Sequence, residues 1–203
     1  MSSVHASPPA PDPITVGNDE FERLCDELVA TIAGTVVEIG AGSGANFSAL
    51  PRDIRWIGIE PHDRTRKQLA AAAASAGFDA PLDARAEALP MPDASADVVL
   101  STLVFCSVDD LDHAMAEARR VLRPGGRLVF AEHVIAPPGS FVRGLQRFAT
   151  PVVARVDRNC HWTRDPLAAA ARAGFRPLDV RRYSVRGRLP GAGFPFVLYQ
   201  GER

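Results

Sequence analysis

The chain has 203 residues, of which 46% are hydrophobic and 23% charged, a composition that fits one globular domain and excludes coiled-coil, collagen-like and wholly disordered chains. The net charge of −1 hides an asymmetry: residues 1–118 carry 7 Lys and Arg against 19 Asp and Glu, and residues 119–203 carry 16 against 5. The basic residues of the second half are dispersed arginines without an aromatic-and-basic recognition motif, so two attracting halves of one fold are expected and no nucleic-acid partner.

No apolar run approaches the ~18–20 residues that span a bilayer. Residues 1–13 have neither the basic nor the apolar region of a secretory signal. Three cysteines, Cys25, Cys106 and Cys160, are too few and too scattered for a disulfide framework or a zinc site. A cytoplasmic protein with free thiols, no bound metal and no stable membrane anchor is the expectation.

Residues 1–16, rich in Ser, Pro and Ala at their start, read as a disordered tail. From Asn18 to Ile32 the apolar positions Phe21, Leu24, Leu28 and Ile32 recur at helical spacing, and Gly34 closes that helix. Thr35–Ile39 is a β-branched run that ends in glycines, and Arg55–Glu60 is a second strand. Arg64–Ala76 reads as a helix ended by Gly77, and Asp97–Ser101 as another buried strand. Leu111–Leu122 is a helix stopped by Arg123-Pro124-Gly125-Gly126, with Arg127–Glu132 as the next strand. Pro137–Val156 sets apolar residues at helical spacing among arginines. A last helix, Pro166–Ala173, precedes two strand-like runs, Leu178–Val185 and Phe194–Gln200, which read as a hairpin joined through Gly187 to Gly193. Strands alternating with helices mean βαβ units and a mostly parallel sheet, to which the hairpin adds antiparallel pairing.

The strongest local signal is Val37-Glu38-Ile39-Gly40-Ala41-Gly42-Ser43-Gly44-Ala45-Asn46-Phe47, a strand running into Gly-x-Gly-x-Gly. Glycines at such a turn let a ligand lie against the backbone. A dinucleotide fingerprint would place its third glycine at position 45, where this chain has Ala45, and Glu38 inside the strand is unusual for a nicotinamide site. Glu60 ends the next strand, 20 residues after Gly40, where a carboxylate can accept both hydroxyls of a ribose. Together the two features point to an adenosine-bearing ligand.

At these residues the chain resembles the class I S-adenosylmethionine-dependent methyltransferases. Glu-Ile-Gly-Ala-Gly-Ser-Gly matches their first motif, Glu60 their ribose-binding acid, and Ala86-Glu87-Ala88-Leu89-Pro90-Met91-Pro92-Asp93 their adenine-side loop. Asp97–Leu103 resembles the fourth-strand motif, and Val121–Leu128 the segment before the fifth strand. The resemblance implies a Rossmann-like α/β fold: a seven-stranded, mostly parallel sheet with an antiparallel C-terminal strand and helices on both faces. It implies S-adenosylmethionine as cofactor, S-adenosylhomocysteine as product, and a small-molecule acceptor. It places Gly40, Ala41, Gly42, Gly44 and Asn46 along the methionine and ribose portion, and Glu38 as the acid that orients the loop. Glu60 would hold the ribose, Pro61 and His62 would flank the adenine with Ala86 and Glu87, and Ser101 and Leu103 would sit beside the sulfonium. Many relatives have Asp where this chain has Arg85, so the adenine amino group loses one acceptor.

Thr102–Val108, Glu132-His133-Val134 and Asn159–Arg164 extend the likeness, and with Gly44-Ala45-Asn46-Phe47 they resemble the methyltransferase-like thiol S-methyltransferases. The resemblance thus implies one methyltransferase domain over residues 17–203, acting as a monomer or homodimer, with transfer to a hydrophobic thiol. O-, C- or N-methylation of a quinone-like or natural-product scaffold is the alternative, and a non-catalytic S-adenosylmethionine-binding protein a more distant one. A thiol is a few per cent thiolate at neutral pH and needs little help from a base, whereas a phenol or amine needs one within ~3 Å. His133 and His161 are the candidate bases. Cys106 and Cys160 near the pocket read as small hydrophobes. Residues 137–162 are expected to form a lid over the acceptor, with a dimer contact or a membrane-surface face as the alternatives.

Overall fold

The computed structural model describes residues 12–186 and 193–203. Its strands are β1 (Ile14–Gly17), β2 (Thr35–Ile39), β3 (Arg55–Ile59), β4 (Ala96–Thr102), β5 (Leu122–His133), β6 (Arg176–Arg186) and β7 (Phe194–Glu202). They form one sheet in the order β1-β6-β7-β5-β4-β2-β3, with every neighbouring pair parallel except the two that β7 makes. The expected class of fold is therefore present, with the antiparallel strand inserted beside β5. The helices are α1 (Asn18–Val29), α2 (Asp63–Ala76), α3 (Leu111–Val121), α4 (Phe141–Val156) and α5 (Pro166–Arg172).

Successive residues of a strand point to opposite faces, and the central strands are apolar on both. Val37, Val99, Leu128 and Val197 pack with Met115 and Ala118 of α3 and Ala169 of α5. Val36, Val98, Val129 and Leu198 pack on the other face with Phe21 and Leu28 of α1 and Leu69 of α2. Helices thus cover both faces, as a buried parallel sheet requires. Arg120–Asp93, Arg123–Asp97 and Arg172–Asp112 ion pairs join the basic half of the chain to the acidic half.

Two expectations need correction. Residues 14–16 are not part of an irregular tail: Ile14–Gly17 pairs in parallel register with Tyr183–Arg186, and Val16 is buried. The seventh strand is therefore this N-terminal one, since the segment before the adenine-side loop contributes only a single bridge, Ile59 to Leu82. The fifth strand begins at Leu122 rather than Arg127; Leu122 pairs with Ala96 and Arg127 with Val98, so Arg123–Gly126 form an irregularity within it. Residues 187–192 of the expected hairpin connection lie outside the described residues, but the antiparallel pairing of β6 with β7 is formed.

α4 departs from a simple lid. Its buried residues are Gln146 and Thr150, and Gln146 serves the backbone after β5, accepting from the Ala136 amide at 2.8 Å and donating to the Val134 carbonyl at 2.9 Å. Phe141, Leu145, Phe148, Val152 and Val156 are exposed instead. No described helix is long and apolar enough to cross a membrane.

Candidate active site

At the carboxyl edge of the sheet, where ligands bind in open α/β folds, a cavity of about 550 Å³ opens between the ends of β2, β3 and β4. Its floor is the glycine loop. Gly40 and Gly42 have φ of +62° and +58°, a region that L side chains rarely adopt. A Cβ on Gly40 would come within 2.6 Å of the Val104 side chain, so the loop can lie close to the β4 end only without one.

Two buried carboxylates hold this floor from different sides. Glu38 accepts from Asn46 Nδ2 at 2.7 Å and from Trp56 Nε1 at 2.6 Å. Burial pushes its pKa up, opposed by those two hydrogen bonds. Glu60 accepts from the Gly42 amide at 3.2 Å through Oε2 and from the His62 amide at 3.0 Å through Oε1. Since a carboxylate has about four acceptor sites, each oxygen keeps capacity for a further donor from the cavity. Glu60 therefore fixes the loop and remains able to hold a diol.

Glu132 anchors the opposite wall. Its Oε1 accepts from the Val104 and Phe105 amides at 2.6 and 2.8 Å and from Ser101 Oγ at 3.2 Å. Full burial raises its pKa to about 8. Leu103, between these anchors, has φ +58° and is half exposed in the cavity. On the adenine-side loop, Glu87 Oε1 accepts from the Asp109 and Asp110 amides, and Arg85 pairs with Asp109.

Of the residues singled out in the sequence, Glu38, Gly40, Ala41, Gly42, Asn46, Glu60, Pro61, His62, Ala86, Glu87 and Leu103 line this cavity. Gly44 does not; its φ of +84° shapes the turn, and Phe47 occupies the place a Cβ would take. Ser101 is fully buried and faces Glu132, whereas its neighbour Thr102 lines the cavity and meets Asn46 Nδ2 at 3.1 Å. Neither histidine lines it. His133 is buried beside Cys160, and His161 contacts Asn159 Oδ1 at 3.0 Å, one residue behind the wall. Burial lowers the His161 pKa, helped by the charge of Arg164. Ser107, Val108, Asp109, Arg158 and Asn159 line the far end. Of residues 137–162, only Arg158 and Asn159 reach it.

Comparison with known proteins agrees with this geometry. A family described as a methyltransferase domain matches residues 37–130. The human thiol S-methyltransferase TMT1B is 34% identical over 177 residues, covering 81% of this chain and 72% of that protein. The chain belongs to the S-adenosylmethionine-dependent methyltransferases. The methyltransferase is also 30% identical over 114 residues to the ubiquinone/menaquinone biosynthesis C-methyltransferase UbiE of Caulobacter vibrioides, across 56% of this chain and 44% of that one. Among solved structures, the YcgJ protein of Bacillus subtilis superposes with a TM-score of 0.72, covering 92% of this chain and 99% of its own, at 16% identity. That likeness shows the fold alone. S-adenosylmethionine is the methyltransferase's cofactor.

Proposed function

We propose that this methyltransferase transfers a methyl group to the sulfur of a small hydrophobic thiol. Bound at the glycine loop, the cofactor supplies an electrophilic methyl carbon on a sulfonium centre. Glu60 accepts from the ribose hydroxyls, while Gly40, Ala41 and Gly42 let the methionine portion lie on bare backbone. Glu38 and Asn46 orient that loop, and Pro61, His62, Ala86 and Glu87 enclose the adenine. With its proton lost to solvent, the acceptor thiolate would attack that methyl carbon in line; the bond from the methyl to the cofactor sulfur would break with its electron pair going to that sulfur, giving a thioether and S-adenosylhomocysteine. Alignment is the main demand of such a displacement.

The observation that carries the thiol reading is that the cavity has an apolar wall and neither candidate base. Leu103, Val104 and Val108 supply that wall, Asp109 is engaged by Arg85, and neither His133 nor His161 lines the cavity. An acceptor that ionises unaided suits such a wall better than a phenol or amine, which requires a positioned base. The 34% identity to a thiol S-methyltransferase supports the same choice. The shared stretch with a quinone C-methyltransferase favours carbon methylation as the second reading.

The test is incubation of the purified chain and S-adenosylmethionine with a panel of alkyl and aryl thiols, phenols, quinols and amines, products read by mass spectrometry. Thioether formation with saturable thiol kinetics is expected. Methylation of a quinol or phenol without any thioether overturns the thiol assignment.

A further inference from the structure

Behind the cavity wall, three side chains from three separate segments meet. Cys106 lies in the loop after β4, His133 ends β5, and Cys160 lies between α4 and α5. Their ligand atoms all fall within 4.8 Å of one another. His133 Nε2 is 3.2 Å from Cys160 Sγ, and Cys160 Sγ is 3.5 Å from Cys106 Sγ. We propose that Cys106, His133 and Cys160 form a binding site for a zinc-class divalent ion. The proposal goes beyond the acceptor reading and holds for any acceptor.

Two thiolates and an imidazole around a tetrahedral zinc, with Zn–S near 2.3 Å and Zn–N near 2.0 Å, stand roughly 3.8 Å apart for the sulfurs and 3.5 Å for sulfur and nitrogen. The two separations at Cys160, 3.2 Å to His133 Nε2 and 3.5 Å to Cys106 Sγ, are within about 0.3 Å of those values, and the third pair lies within 4.8 Å. A disulfide would need its sulfurs near 2.05 Å. Soft sulfur with borderline nitrogen selects zinc or a similar late transition metal over magnesium or calcium.

The surroundings point the same way. All three residues are more than nine-tenths buried, at 4%, 7% and 6% exposure for Cys106, His133 and Cys160. His133 Nδ1 is buried with no hydrogen-bond partner, and the rings of Phe194 and Phe196 close over the imidazole edge-on. Nε2 meets the Cys160 sulfur and is the nitrogen that takes the ion, while Nδ1 has no hydrogen-bond partner with or without it. The chain also strains to deliver the ligands. Leu103 ahead of Cys106, and Arg158 and Asn159 just ahead of Cys160, hold positive φ without being glycine. Such strain persists only where the surroundings fix it.

Binding converts two thiols to thiolates, releases their two protons to solvent, and changes no oxidation state. The ion ties the α4–α5 connection to the ends of β4 and β5, and so sets Arg158 and Asn159 on the cavity wall. Three protein ligands leave a fourth position open to water. Ser107 Oγ, 3.4 Å from Cys106 Sγ, separates the cluster from the cavity by one side chain.

The experiment is titration of the reduced, metal-free full chain with cobalt(II), followed by zinc(II). Saturation at one ion per chain is expected, with thiolate-to-cobalt charge-transfer absorption and the visible bands of a tetrahedral ion, all lost as zinc displaces cobalt. Cys106→Ser and Cys160→Ser should each abolish the charge-transfer band or weaken binding at least tenfold, while Cys25→Ser leaves it unchanged. Variants are compared only after circular dichroism and S-adenosylmethionine binding show them folded. If they do not fold, the wild type decides alone: zinc should raise its melting temperature and a chelator should reverse the rise. No cobalt band and no zinc-dependent shift in the reduced wild type overturns the proposal, as does a band that survives in both folded variants.

Discussion

Trp56 Nε1 donates to Glu38 Oε2 across 2.6 Å, so a tryptophan on β3 fixes an acid on β2 beneath the glycine loop. The bond is diagonal, since Glu38 pairs directly with Gly58. It exists because Gly58 has no side chain: a Cβ there would lie 2.2 Å from the Trp56 ring. Trp56→Phe leaves Glu38 Oε2 buried with no donor, which should cost about 1–3 kcal/mol of stability. Urea unfolding measures it, and an unchanged midpoint would mean that the bond contributes nothing.

Glu38 also sets a pH dependence. Its folded pKa lies above its ordinary value of 4.5 because burial disfavours the anion. The stabilisation this gives is complete below 4.5 and fades as pH rises through the folded value. In the cofactor-free chain the wild type should therefore lose stability relative to Glu38→Gln as pH rises from 4.5 through the raised folded value. Stepped-pH urea titrations of both proteins would show it; a constant difference would contradict the burial argument.

Glu60 has two tasks, since its oxygens hold the Gly42 and His62 amides and face the cavity. Removing charge-assisted hydrogen bonds of this kind costs about 1.5–3 kcal/mol, so Glu60→Ala should weaken S-adenosylmethionine binding by about 10–100-fold. Calorimetry is the check, and equal affinity would defeat the ribose assignment.

Arg85 carries less. Its pairing with Asp109 joins two side chains that are 54% and 68% exposed, and exposed pairs contribute little. Arg85→Ala should change cofactor affinity by less than about fivefold. A larger loss would place Arg85 in direct contact with the adenine.

The core of the fold is plain in the sequence because β2, β3 and the helices around them are set by local runs and stops: Thr35–Ile39 begins and ends where the residues say it should. Ile14–Gly17 was hidden because four residues become a strand only by pairing with Tyr183–Arg186, far along the chain. The glycine-loop side of the cavity was legible since glycines and acids carry their chemistry locally. Ser101 was misplaced toward the cofactor because one residue's slip along a strand reverses the face, giving the cavity to Thr102. Cys106, His133 and Cys160 are scattered in sequence, and only the topology brings them together.

The place of β7 bears on how this protein is made. It is the last strand in sequence, yet it lies inside the sheet, between β5 and β6. While residues 194–202 are still in the ribosome, β1 and β6 have no hydrogen-bonded route to β5, and Val197, Leu198 and Tyr199 are missing from both layers of the core. A nascent chain therefore displays two open strand edges until synthesis passes β7, and open edges are where aggregation begins. Cutting the chain ahead of Phe194 would split the sheet in two rather than trim its border.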